Sequence, residues 1–415
     1  REQVISYDTA LERYCRDYLE KFREECDRED LEGTFQRIAS AAAQGRDPRN
    51  NEILKLIEEG RSQEAAVLMR ELAAEEAARG QAQIKRAAER YRDSGRIAFL
   101  NDTEAAMADY KRATELDPDD PEGWNELGLL QLRTGALDAA IHSFEHVLAL
   151  GNTLADKEWE AIATGNLGLI YHTRGDLDRA EAIFKRTLEL AEELGHKEYQ
   201  AAATGNLGLI YLTRGELDRA EAMLGRQLEL AEELGIKEQQ AAATGNLGLI
   251  YRRRGELDRA EAMHKRQLEL AKEIGSKESE TLASSGLALV FQARGELDRA
   301  VEYHERDLEL SEEMGSKEGQ ARATGNLGNI YRTRGELDRA EAMHKRALEL
   351  AEELGSKEGQ ARATGNLGNI YAQQGDTARA CQHWARARDL FREMGMAPQV
   401  KQVENIEHDA GCSER

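Results

Sequence analysis

Five asparagines, Asn166, Asn206, Asn246, Asn326 and Asn366, stand at multiples of forty residues from one another, each inside the stretch Ala-Thr-Gly-Asn-Leu-Gly. An asparagine in mid-helix lowers helix propensity, because its amide competes with the backbone. One such residue needs no reason, but five in register do. Each amide carries a donor and an acceptor, so a column of them can hydrogen-bond the main chain of an extended polypeptide. The bland alternative is that they bond within their own scaffold, or persist because the whole unit was copied. Positions that vary between otherwise matching units are therefore informative. Four residues before each Asn the chain reads Ile162, Ala202, Ala242, Arg322 and Arg362; three after it, Leu169, Leu209, Leu249, Asn329 and Asn369; six after it, His172, Leu212, Arg252, Arg332 and Ala372. In the unit that lacks the Asn, these places hold Leu282, Leu289 and Gln292. With Arg253 beside Arg252, the column grades from an apolar half into a half rich in Arg and Asn. A guanidinium holds a carboxylate through two charge-assisted hydrogen bonds, so the grading suits an acidic peptide with an apolar end. The competing reading is a set of ordinary solvated charges.

Other chemistries fit less well. His264, His304 and His344 also recur every forty residues. Successive members should lie ~10 Å apart, whereas zinc holds its ligand nitrogens at ~2.0 Å, so they read as packing residues at the seams between units and no metal or cofactor is expected. No phosphate-binding glycine loop follows a strand, and no Ser/His/Asp or Cys/His set stands out; an enzyme is not expected. Cys15, Cys26, Cys381 and Cys412 form no C-x-x-C pair, which predicts free thiols, no disulfide framework and a reducing, cytoplasmic setting. The formal charge of −22 disfavours nucleic acid and anionic membrane surfaces. No apolar run approaches the ~18 residues of a membrane span. The first residue is Arg, so a start further upstream is expected.

The elements that must position these columns follow from the same period. Only four prolines occur among 415 residues, and Ala, Leu, Glu and Arg dominate, which predicts an almost wholly helical chain. A forty-residue period means stacked hairpins. In the copy at 201–240, Leu207, Tyr211, Leu217, Leu228, Ala231 and Leu234 supply an apolar stripe, Gly208 and Ala220 sit where two helices cross closely, and Gly215 and Gly235 stop the helices. Arg214 recurs as Arg174, Arg254, Arg294 and Arg334 and reads as a cation at a helix C-terminus. The expected organisation is N-terminal helices over 1–50, divergent hairpins over 51–160, six forty-residue units over 161–395 and a capping helix with tail over 396–415.

Trp124-x-x-Leu127-Gly128, then Gly135 and Ala140-x-x-x-Phe144 resemble the tetratricopeptide repeat, with Gln131 where Tyr is usual; Leu167-Gly168-x-x-Tyr171, Gly175 and Ala180-x-x-x-Phe184 continue the skeleton. The resemblance implies an all-α solenoid, a right-handed superhelix in which the first helix of each hairpin lines a concave groove. It places the Asn column in that groove with Arg252, Arg253, Arg322, Arg332, Arg362, Asn329, Asn369, Leu169, Leu209, Leu249 and Leu289. With first helices ~10 Å apart and ~3.3 Å per extended residue, one Asn would meet about every third ligand residue. The run Arg322-Ala323-Thr324-Gly325-Asn326-Leu327-Gly328-Asn329-Ile330-Tyr331 followed by Ala342-Met343-His344-Lys345-Arg346 is similar to the forty-residue repeats of the Pins/LGN adaptors and, more distantly, kinesin light chain. That similarity implies a non-enzymatic adaptor for extended, acidic peptides. Ser285-Gly286-Leu287-Ala288 departs from the pattern in the middle of the column. The alternatives are the regulatory or sensor half of a larger signalling protein, and a self-assembling scaffold.

Overall fold

The computed structural model describes residues 47–77, 81–99 and 101–412. Every regular element there is a helix: α1 (Arg49–Glu58), α2 (Ser62–Ala77), α3 (Gln81–Ala98), α4 (Thr103–Leu116), α5 (Pro121–Arg133), α6 (Leu137–Leu154), α7 (Lys157–Thr173), α8 (Leu177–Leu194), α9 (Lys197–Arg214), α10 (Leu217–Leu234), α11 (Lys237–Arg253), α12 (Leu257–Ile274), α13 (Lys277–Arg294), α14 (Leu297–Glu313), α15 (Lys317–Thr333), α16 (Leu337–Glu353), α17 (Lys357–Gln373), α18 (Thr377–Glu393) and α19 (Ala397–Asp409). The fold is the all-α repeat solenoid that the period predicts. The helices expected from the patterning of residues 1–43 lie outside the described residues.

The helices group into two compact units, one running to Tyr199 and one starting at Gln200. In the first, each helix from α1 to α8 packs on the next, and Ile53, Met69, Ile97, Tyr110 and Leu130 form one buried cluster. In the second, helices pair as hairpins α11/α12, α13/α14, α15/α16 and α17/α18, and the second helix of each packs on the first helix of the next. First helices also meet one another, α11 with α13 and α15 with α17. They therefore make the inner layer of this unit, with the second helices outside.

Each helix stops for a local reason. Gly215, Gly235, Gly255, Gly275, Gly295, Gly315, Gly335, Gly355, Gly375 and Gly395 all have positive φ, between 65° and 83°. A residue with a Cβ is strained there, so glycine ends the helix and turns the chain. Starts are capped where a short polar side chain is present: Ser316 Oγ accepts from Gly319 N at 3.1 Å, and Ser356 Oγ from Gly359 N at 3.1 Å. Close crossing depends on a glycine as well. A Cβ on Gly328 would stand 2.7 Å from the His344 ring, so only a bare backbone lets α15 and α16 approach.

Two sequence readings change. The arginine that precedes the turn glycine is an ion-pairing residue rather than a helix-end cation alone: Arg254 reaches back to Asp218 and Glu221, Arg294 to Asp258 and Glu261, and Arg334 to Asp298. Each links its hairpin to the one before it. The thiols of the C-terminal end are also not free. Cys381 and Cys412 are joined, with sulfurs 2.02 Å apart. The pairing was hidden because it depends on α19 folding back over α18, which brings together positions 31 residues apart. That fold-back packs Val403 and Ile406 against Trp384 and Phe391.

Candidate functional site

The inner layer carries the asparagine column. Asn206, Asn246, Asn326 and Asn366 are half-buried, and none of them donates or accepts a side-chain hydrogen bond or leaves a polar atom sealed without a partner. Their amides therefore keep donor and acceptor facing solvent. Asn166, in the other compact unit, donates instead to Asn125 Oδ1 at 3.3 Å. The side chain of Asn329 is unbonded and the residue half-buried, whereas Asn369 Oδ1 accepts from Trp384 Nε1 at 3.1 Å. Leu209, Leu249 and Leu289 are half-buried and Leu169 is exposed.

Gly286 marks the break in the column. A Cβ there would lie 2.5 Å from the His264 ring, so the space in which an Asn stem would begin is occupied by a core side chain. The rung at α13 has no amide.

The arginines are not equivalent. Arg253 Nη1 donates to Leu212 O at 2.8 Å, a carbonyl near the end of α9 that also accepts from Gly215 N at 3.2 Å. Arg322 Nη2 lies 3.0 Å from Asp307 Oδ1. Asp307 is fully buried, and burial pushes its carboxyl above the usual range against the opposing pull of Arg322. Both arginines thus have scaffold partners. Arg362 is exposed and pairs one turn back with Glu358 at 2.7 Å. Arg252 and Arg332 are half-buried, and the Nε of each is sealed from solvent without a hydrogen-bond partner. Burial, with Arg253 beside it, holds the Arg252 guanidinium below its ordinary value.

The three histidines fill the core slot that Phe184, Leu224 and Trp384 fill in other hairpins. All are depressed, first by burial and then by a nearby arginine: His304 to about 4 beside Arg322, His344 to about 4 beside Arg332. For His264 the direction is the same, with the bond to Gln267 opposing it. No group of three or more metal-ligating side chains is assembled among the described residues.

Two cavities open on this face. One, of about 260 Å³, brings together Arg322, Asn326, Asn329, Arg362 and Asn366 over His344 and Ala347. The other, of about 240 Å³, lies between Asn366, Asn369 and Trp384 and is closed by Gln399, Gln402 and Ile406 of α19. Neither was expected. Their signal was present as a glycine one residue before the Asn facing a small residue on the second helix, Gly325 with Ala347 and Gly365 with Ala387.

Known families align with this architecture. The MalT-like TPR region matches residues 128–323, and three tetratricopeptide-repeat models match 100–135, 323–358 and 361–392. The chain is a tetratricopeptide-repeat protein, of a fold suited to protein interaction. No curated protein matches the chain. Among solved structures it is similar to the apo form of RapI, at 15% identity over 83% of this chain and 97% of that one, with a TM-score of 0.63. It is also similar to a STAND signal-transduction ATPase with a tetratricopeptide repeat sensor from Pyrococcus horikoshii, at 16% identity over 85% of this chain and 57% of that one, TM-score 0.61. A putative kinesin light chain with nearly identical TPR-like repeats from Podospora anserina matches at 16% identity over 47% of this chain and 96% of that one, TM-score 0.41. At these identities the likeness is one of fold. Among the described residues no helix is long and apolar enough to cross a membrane.

Proposed function

We propose that the inner face of the second compact unit captures an extended, acidic peptide and that the protein acts as a non-catalytic adaptor. The observation that carries this reading is the set of unbonded amides at Asn206, Asn246, Asn326 and Asn366, repeated on α9, α11, α15 and α17. An amide that its own scaffold leaves free can exchange hydrogen bonds with a passing main chain at little reorganisation cost. The half-buried Arg252 and Arg332 supply the charge, and Leu209 and Leu249 the apolar end. A labelled Asp-rich peptide should bind the wild-type protein in a salt-sensitive manner, and Asn246→Ala with Asn326→Ala should weaken it about tenfold or more, each lost hydrogen bond being worth ~1 kcal/mol. Unchanged binding in the double variant, or equal binding of a Lys-rich peptide, removes the reading.

The sensor portion of a larger signalling protein is the second reading. It is favoured by the fold shared with the Pyrococcus horikoshii STAND protein, of whose length this chain spans 57%.

A further inference from the structure

The glycine one residue before each Asn faces the second helix of its own hairpin. In the hairpins that begin at Ala201 and Ala241, a Cβ on Gly205 or Gly245 would stand 2.5 Å from Gln227 Nε2 or 2.6 Å from Gln267 Nε2. The glutamine side chain thus lies in a notch that the glycine leaves open. Gln267 also pairs with one nitrogen of the imidazole beside it, Oε1 lying 3.2 Å from His264 Nδ1, while His264 Nε2 has no partner. In the hairpin that begins at Ala321 the notch and the imidazole recur as Gly325 and His344, but the glutamine is replaced by Ala347. Nothing lies within 4 Å of a Cβ on Gly325. The vacated volume is the cavity of about 260 Å³. His344 in its wall is fully buried with neither ring nitrogen bonded, and Arg332 Nε is orphaned in the same way.

We propose that this cavity receives one glutamate side chain of the captured peptide. Its unbranched stem takes the volume that Gln267 fills in the hairpin beginning at Ala241, and its carboxylate accepts from the His344 N–H. The assignment rests on the groove reading above and names what the groove selects. Shape calls for a side chain of glutamine length. The orphaned imidazole calls for an acceptor, since a buried polar group left unpaired is costly. Arg322 and Arg362 at the rim already pair with Asp307 and Glu358, so the charge that favours Glu over a lysine of similar reach is that of Arg332, which acts on His344 and whose Nε has no partner. The other cavity makes no such demand, because Trp384 Nε1 already donates to Asn369.

The test uses fluorescein-labelled Asp-rich peptides that differ at one central residue, Glu, Gln, Met or Ala, read by anisotropy. Wild-type protein is expected to bind the central-Glu peptide about tenfold more tightly than central Met or Ala. Ala347→Gln should abolish that difference by restoring the internal occupant. His344→Leu, which places in the slot the residue type already present at Leu224 against Gly208, should remove the preference for Glu over Met while Asp-dependent binding persists. Gly325→Ala is a second probe of the notch, adding one methyl that meets nothing, and it should narrow the preference without loss of fold. Central Met binding as well as central Glu, or a preference that survives Ala347→Gln in a protein with unchanged circular dichroism, overturns the pocket. If the Asn246→Ala, Asn326→Ala variant loses binding while the central residue proves immaterial, the pocket alone falls. If no Asp-rich peptide binds the wild type, the groove reading falls and takes the pocket with it.

Discussion

The hairpins that begin at Ala241 and at Ala321 are near copies, sharing the glycine crossing, the buried histidine and the turn glycines. They differ where one carries Gln267 and the other Ala347. In the first, the notch under the inner helix is full and the imidazole is bonded; in the second, the notch is empty and the imidazole is not. The contrast teaches that in a stacked repeat the scaffold and the site can be separated residue by residue. The crossing glycine is fixed by packing, while one outer-helix side chain sets whether a recess exists.

The largest effect is expected in acid. His344 has its folded value depressed to about 4 from 6.5, so between those limits the unfolded chain takes up a proton that the folded chain refuses, and stability falls as pH falls through that window. The loss is of the order of 3 kcal/mol at its fullest. Urea midpoints from neutral pH to about pH 4 should therefore drop less in His344→Leu than in wild type; parallel curves would contradict the burial argument.

Next come the glycines. Gly245→Ala gains the same helix propensity as any Gly→Ala change but drives a methyl into the Gln267 amide and pushes it off His264, so overpacking of about 1–3 kcal/mol should make the net change a loss. Gly325→Ala meets nothing and should gain up to about 1 kcal/mol from helix propensity. Opposite signs in thermal midpoints support the contrast, and equal signs refute it.

The outer-helix exchange is the reciprocal experiment. Gln267→Ala should cost about 1 kcal/mol by leaving His264 unpaired, while Ala347→Gln should gain a similar amount by pairing His344. Smallest is Arg254→Ala, whose partners Asp218 and Glu221 are 99% and 29% exposed; it should shift stability by about 1 kcal/mol or less, and less still in high salt.

Much of the architecture was legible because glycine cannot be replaced cheaply at a left-handed turn or a close crossing, so Gly215, Gly235 and Gly208 marked both at a fixed spacing. The free amides were legible as a propensity anomaly. The role of Arg254 was read only half correctly, since its partner Asp218 lies 36 residues back and on another hairpin. The Cys381–Cys412 link was missed for the same reason. The recess over Ala347 needed knowledge of which outer-helix position faces Gly325, and no spacing within one helix reveals that. The engagement of Arg322 by Asp307 was likewise invisible, because a buried aspartate in one hairpin reads as surface charge until its neighbour is placed.

The turn glycines fall every twenty residues from Gly215 to Gly395, so every helix in this region has the same reach and every hairpin begins and ends in an interchangeable conformation. Removing forty residues at that spacing would rejoin like with like, leaving each crossing and each clasp between hairpins of a kind already present. The length of track available to a guest could thus be trimmed or extended by whole rungs, as with a ruler cut at its graduations, without asking the chain to learn a new shape.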